Sequence, residues 1–286
     1  MRRRDLVRSL AGGAAVVLGA QGGARRGLPA ESGRPLLGYS CYGMKMMPVR
    51  EAIRHIARIG YKAVELTLVP TWPTEPKLLS KMDRAGIRKQ LGDLGLELSS
   101  VQESLQLAEQ NAMTKLGLNL NYSREENLER LRAAAEVAHE VSPGPPALIE
   151  TPVGGLAEAW EQTKRRMAGE LSVWARTLEP LKTVLAIKAF VGSAMDRPEK
   201  VLWMLDQVQS PWIRIGYDYS HYKLLGLDLR KSLEQLASRT AFIHVKDSVG
   251  TAEKFRFLLP GDSREIDYKE YARILAAAGY RGPVIV

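Results

Sequence analysis

Eight short apolar runs, each but the last followed by a stretch of helical periodicity, constrain this chain more than any other feature. They are LLGY (36–39), AVELTLV (63–69), LELSSVQ (96–102), ALIETPVGG (147–155), VLAIKAF (184–190), IRIGYDYSH (213–221), AFIHVKD (241–247) and PVIV (283–286). Between the first two, Val49, Ala52, Ile53, Ile56 and Ala57 follow the helical period and Gly60 supplies a stop. Further helices are expected over 77–95 and 123–141, from 156 to about 181, from Pro198, over 229–238, and over 267–280. Strands that are apolar on both faces belong to parallel sheets covered by helices. Eight of them in about 250 residues close a (β/α)8 TIM barrel, which is the expected fold. A doubly wound open sheet is the alternative. No G-x-G-x-x-G turn follows the first strand, so a dinucleotide site has no support. The eighth strand falls at the C-terminus of the sequence, with the final helix missing. If the chain stops there, a short last strand and an uncovered seam are expected; if it continues past Val286, a final helix should follow.

Two domains of unequal size follow: an export signal with a short linker over 1–30, and the barrel over 31–286. Residues 1–26 carry six arginines and one aspartate, so +5 of the formal net charge of +9 sits in the leader. The remaining +4 is spread over amphipathic helices, a solvated surface that gives no reason to expect nucleic acid. Arg3-Arg4-Asp5-Leu6-Val7-Arg8 resembles a twin-arginine pattern, the apolar stretch 10–20 is too short to span a bilayer, and Gly22-Gly23-Ala24 offers a cleavage site. The expected location is periplasmic, with no stable membrane insertion after signal removal. The intact mass of protein made in a bacterial host checks the cleavage. The single cysteine, Cys41, permits no internal disulfide.

In such a barrel the side chains at the C-terminal ends of the strands meet at one mouth. Here they are Glu65, Glu103, Glu150, Lys188, Asp218 with His221, and His244 with Lys246 and Asp247. Charged groups are rarely buried unless paired, bound to metal or used in chemistry, so their shared position points to a site. Asp218 reads either as a turn cap or as an oxygen ligand to a divalent cation. His221 reads as a contact to a local carbonyl or to a substrate hydroxyl. His244, inside an apolar run, reads as a ligand or as a core histidine. Lys246 is expected to pair with Asp247 and, with His221, to meet substrate. His55 and His139 fall on helix surfaces, and the segment 104–122 is expected to cover the mouth.

The order IRIGYDYSH, AFIHVKD, LLPGD and IDYKEYARILAAAGYRGPVIV resembles the sugar phosphate isomerase/epimerase family, with its xylose isomerase-like barrel. The resemblance implies a divalent cation (Mn, Zn, Mg or Co) held by a strand-five glutamate, a strand-six aspartate, a strand-seven histidine and a strand-eight glutamate. It puts Asp218 and His244 on the second and third ligand positions and His221 against substrate hydroxyls. The sequence departs from the pattern at strand five, where Lys188 stands in place of glutamate, and it ends before a strand-eight glutamate could occur. A chain that continues past Val286 should supply that glutamate. Glu150, one strand away, is the candidate substitute. Two readings follow for Lys188. Its pKa falls and it serves as a catalytic base or electrophile, or the metal site is decayed. The implied function is a sugar or polyol isomerase or epimerase using metal-assisted proton transfer, with a related lyase on the same residues. The alternative is a non-catalytic exported carbohydrate-binding barrel. A nuclease of the endonuclease IV type would need a histidine-rich three-metal cluster, for which four histidines are too few. The expected partner is a small sugar or polyol, and self-association is open.

Overall fold

A computed structural model describes residues 35–108 and 122–286. The leader and most of the mouth segment 104–122 lie outside the described residues. The strands in chain order are β1 (Leu36–Ser40), β2 (Ala63–Thr67), β3 (Glu97–Gln102), β4 (Leu148–Pro152), β5 (Leu185–Lys188), β6 (Ile213–Asp218), β7 (Thr240–His244), β8 (Asp247–Gly250), β9 (Phe255–Leu258) and β10 (Pro283–Ile285). Eight of them form a closed barrel in the order β1-β10-β7-β6-β5-β4-β3-β2, every neighbouring pair parallel. The expected (β/α)8 barrel is therefore the observed one, and the open sheet is excluded.

The helices are α1 (Val49–Ile59), α2 (Lys81–Asp93), α3 (Arg124–Val141), α4 (Trp160–Leu178), α5 (Pro198–Val208), α6 (Tyr219–Leu224), α7 (Leu229–Leu236) and α8 (Tyr268–Ala277). Their ends follow local chemistry. Ser80 with Asp83, and Ser123 with Glu126, close capping boxes that satisfy the orphan N–H groups opening α2 and α3. Gly60 ends α1 in the left-handed region at φ 105°. The main core lies between barrel and helices. It contains Ile53, Ile56, Leu91, Leu131, Trp174, Leu205 and Tyr271. Among the described residues no helix is long and apolar enough to cross a membrane.

The structure departs from expectation at the mouth. The sixth strand ends at Asp218, and the residues after it form the short helix α6. The seventh ends at His244, and Asp247 opens an antiparallel hairpin, β8–β9, that stands outside the barrel sheet.

Candidate functional site

Side chains on a strand alternate between faces, so residues two apart share the barrel interior. Ala63, Leu148, Ala186, Phe242 and Ile285 form a small apolar cluster inside the ring, separate from the main core. One step further toward the strand ends, the same alternation brings in Glu65, Glu150, Lys188 and His244, with Asp218 following Gly216 on β6. The ladder register shifts at Val64/Glu65 and at Ile215/Gly216. Such irregularities re-aim side chains, and both lie next to site residues.

Glu65, His244, Lys188 and Glu150 form one connected chain of polar groups. Ser100 Oγ donates to Glu65 Oε2 at 2.8 Å, and His244 Nε2 lies 2.9 Å from Glu65 Oε1. His244 Nδ1 is 3.1 Å from Lys188 Nζ, and Lys188 Nζ is 2.7 Å from Glu150 Oε1. An ammonium only donates, so Lys188 fixes the tautomer: Nδ1 accepts, and Nε2–H donates to Glu65. Burial would raise the Glu65 pKa, but His244 and hydrogen bonds from His244 and Ser40 hold it below the usual range. Burial also works against a charged Lys188, yet the charges of Glu150, Asp218 and Glu65 outweigh it and raise its pKa. The fall expected for Lys188 is thus reversed, because the neighbours that face it are carboxylates. Neither oxygen of Glu150 has a donor aligned on it, although the side chain is fully buried and ion-paired.

A second group surrounds Asp218. Its Oδ1 accepts from the Ser220 backbone N–H at 3.1 Å and from Ser220 Oγ at 2.6 Å, capping α6. Its Oδ2 pairs with Lys246 and lies 3.5 Å from His221 Nε2. Burial opposes the charged form, but Lys246, His221 and Lys188 together hold Asp218 far below the usual carboxylate range. His221 is driven well below its ordinary pKa by burial and then by Lys246. Burial likewise lowers Lys246, with Asp218 opposing and Lys188 reinforcing the shift. The hairpin closes over this group, placing the Phe257 ring 4.9 Å from the His221 ring and 4.5 Å from Lys246 Nζ. The expected Lys246–Asp247 pair is not made. Asp247 instead accepts from Tyr268 Oη at 2.5 Å and from the Ser263 N–H and hydroxyl.

Glu103 lies apart from both groups, bound by Arg130 at 2.7 Å to each oxygen. Tyr42, just past β1, is a neighbour of the Lys188–Glu150 pair that the sequence reading missed. Its ring stacks on Trp72 with centroids 5.1 Å apart, and burial raises its phenol pKa, with Lys188 opposing and Glu150 adding to the shift. An aromatic immediately after a barrel strand was the available signal. The groove of about 700 Å³ lined by Arg132, Glu136, His139 and Lys182 is on the outer helical layer, away from these groups.

The residues present do not fit the divalent cation that the resemblance implies. Asp218 and His244 are register partners across β6 and β7, as expected of a ligand pair. Yet both ring nitrogens of His244 are engaged, by Lys188 and Glu65, and both oxygens of Asp218 are engaged, by Ser220 and Lys246. Among the described residues, no three His, Cys, Asp or Glu side chains are placed to share an ion. An ammonium has no lone pair to offer a metal, and Lys188 brings its charge to the centre of the group.

Comparison with known proteins adds the following. A family model described as xylose isomerase-like TIM barrel matches residues 53–286. A search of curated protein sequences finds no match. Among solved structures, 3-keto-D-glucoside 4-epimerase from E. coli superposes with a TM-score of 0.66 at 14% identity, covering 88% of this chain and 91% of that one. A probable 3-DHS dehydratase from Bacillus anthracis gives a TM-score of 0.71 at 14% identity, covering 88% and 92%. D-psicose 3-epimerase from Clostridium cellulolyticum H10, solved with D-tagatose, gives 0.65 at 14% identity, covering 87% and 83%.

Proposed function

Since the chain belongs to the xylose isomerase-like TIM barrel family, we propose that it is a sugar- or polyol-modifying enzyme that moves a proton at a carbon beside a carbonyl. The observation that carries this reading is Glu150: a fully buried carboxylate at the strand ends, ion-paired with Lys188 but with no donor aligned on either oxygen. Oε1 belongs to the ion pair with Lys188, which leaves Oε2 to act on a substrate.

In this reading Glu150 takes the proton from the carbon next to the carbonyl. The C–H electron pair moves into the new C=C bond, and negative charge develops on the carbonyl oxygen as an enediolate. Lys188 and Lys246 supply positive charge beside that oxygen, inside a site that water reaches poorly. Return of the proton to the neighbouring carbon, with the hydroxyl proton shifting between oxygens, completes an isomerisation. Return to the opposite face of the same carbon from a second group gives an epimer. Loss of a β-hydroxyl as water from the same intermediate gives a dehydration. His221 and Lys246, beneath Phe257, are the candidate contacts to substrate hydroxyls.

Incubation of the protein with a panel of ketoses and cyclic hydroxyketones in D2O, followed by NMR, tests this. We expect deuterium to enter at the carbon beside the carbonyl, and Glu150→Gln to slow it by roughly 10²–10⁴-fold. Unchanged exchange in that variant would remove Glu150 as the base. The second reading, a carbohydrate-binding barrel, is favoured by the commitment of Asp218, Glu65 and His244 to internal partners. Saturable binding of panel members with no exchange would establish it instead.

A further inference from the structure

Lys188 supplies half of the ammonium charge that faces the buried carboxylates of the site. Glu65, Glu150 and Asp218 are each at most 1% exposed, and all three raise the Lys188 pKa. Opposite them stand two ammonium groups, Lys188 and Lys246, and Lys246 is committed to Asp218. Lys188 Nζ itself lies 2.7 Å from Glu150 Oε1 and 3.1 Å from His244 Nδ1, and His244 passes the contact on to Glu65. Subtracting Lys188 leaves three buried carboxylates against one ammonium, a deficit of two positive charges. It also frees a ring nitrogen of His244 and leaves Glu150 with no partner. Buried charges of one sign are costly without a counter-ion. Carboxylate oxygens and a bare imidazole nitrogen are the donors that manganese and zinc accept.

We propose that Lys188 is a built-in replacement for a divalent cation: its ammonium lies between Glu150 and His244 and answers the buried charges of Glu65 and Asp218 nearby, so the barrel takes up no metal there, and removing the ammonium lets a cation take its place. This holds whichever reaction the barrel performs, and it holds equally for a protein that only binds.

Equilibrium dialysis of the chelator-treated protein against MnCl2 and ZnCl2, with metal counted by elemental analysis, tests the proposal alongside thermal melts. Wild type is expected to retain no stoichiometric ion and to melt at the same temperature with or without metal. Lys188→Ala is expected to melt lower than wild type in chelator. It should take up about one ion per chain and regain roughly 5–10 °C at metal about a hundredfold above Kd. Adding Glu150→Gln should weaken that uptake at least tenfold. Should Lys188→Ala not fold, Lys188→Met, which keeps most of the buried volume, carries the same comparison. About one ion per wild-type chain with a matching rise in melting temperature would overturn the proposal. So would a folded Lys188 variant that takes up none. Neither result depends on turnover, so failure here is distinguishable from failure of the isomerase reading.

Discussion

At His221, burial and the Lys246 ammonium both act against protonation, so folding favours the neutral ring. The unfolded chain binds that proton at its ordinary pKa of about 6.5. Stability from this residue is therefore complete above that pH and is lost progressively as pH falls toward the depressed folded value. Asp218 and Glu65 are also depressed in the fold. Their contribution is complete above the unfolded carboxylate values of about 4 and is lost only below them. Two stages of acid destabilisation follow. The melting temperature should be level from about pH 8 to pH 7, decline from about pH 6.5, and fall more steeply below about pH 4.5. His221→Gln should remove the first stage and keep the second. Circular dichroism melts across that range check this, and a level wild-type profile down to pH 5 would refute a ring held neutral by burial.

Among the elements, the barrel strands were legible because apolar runs alternate with helical periods, yet several runs overshoot their strands. The run 184–190 exceeds β5 by Ala189 and Phe190, which are buried in the loop beyond it, as are Leu68 and Val69 beyond β2. Loops packed under the mouth need apolar residues as strands do, so composition does not mark where the ladder stops. The inward positions of Glu65, Glu150, Lys188 and His244 could be read from period two. Their partners could not. Lys246 and Asp247 are adjacent, and neighbouring side chains in extended chain point to opposite sides. Lys246 therefore meets Asp218, while Asp247 turns to Tyr268 and Ser263. The β8–β9 hairpin escaped notice because its loop, residues 251–254, lacks the Asn-Gly or Asp-Gly signal of a two-residue turn. Its one strict backbone requirement is Gly250, at φ 107°, where an added Cβ would stand 2.2 Å from the Lys254 carbonyl oxygen. Gly250→Ala should strain the hairpin by about 1–3 kcal/mol and loosen Phe257 over His221 and Lys246. The strain should stay local, since the hairpin is outside the barrel ladder. We expect faster proteolysis at 251–254 and several-fold weaker ligand affinity, with a melting temperature within about 2 °C of wild type. Unchanged proteolysis would mean that the hairpin tolerates the substitution and does not depend on Gly250.

For the whole molecule, closure of the ring decides how a local insult spreads. β10 contributes only three residues, but it joins β1 to β7 and leaves the barrel without an edge. At that join, Gly38 is the register partner of both Ala63 and Ile285. A Cβ there would fall 2.5 Å from Ile285 Cδ1 and 2.6 Å from the Ala63 carbonyl oxygen. The φ of Gly38 is not in the left-handed region, so what excludes a side chain is space. In an open sheet the edge strand could shift to admit one. In a closed ring, moving β1 away from β2 pushes it into β10. Gly38→Ala should therefore cost about 1–3 kcal/mol by overpacking. For a chain of this size that is a fall of roughly 2–12 °C in melting temperature. The fall should appear in calorimetry as one transition moved as a whole, unlike the local loosening expected of Gly250→Ala. A shoulder that melts early while the main transition stays in place would mean that the β1–β10 join opens on its own. The charged residues at the mouth would then rest on a ring less cooperative than its closed ladder implies.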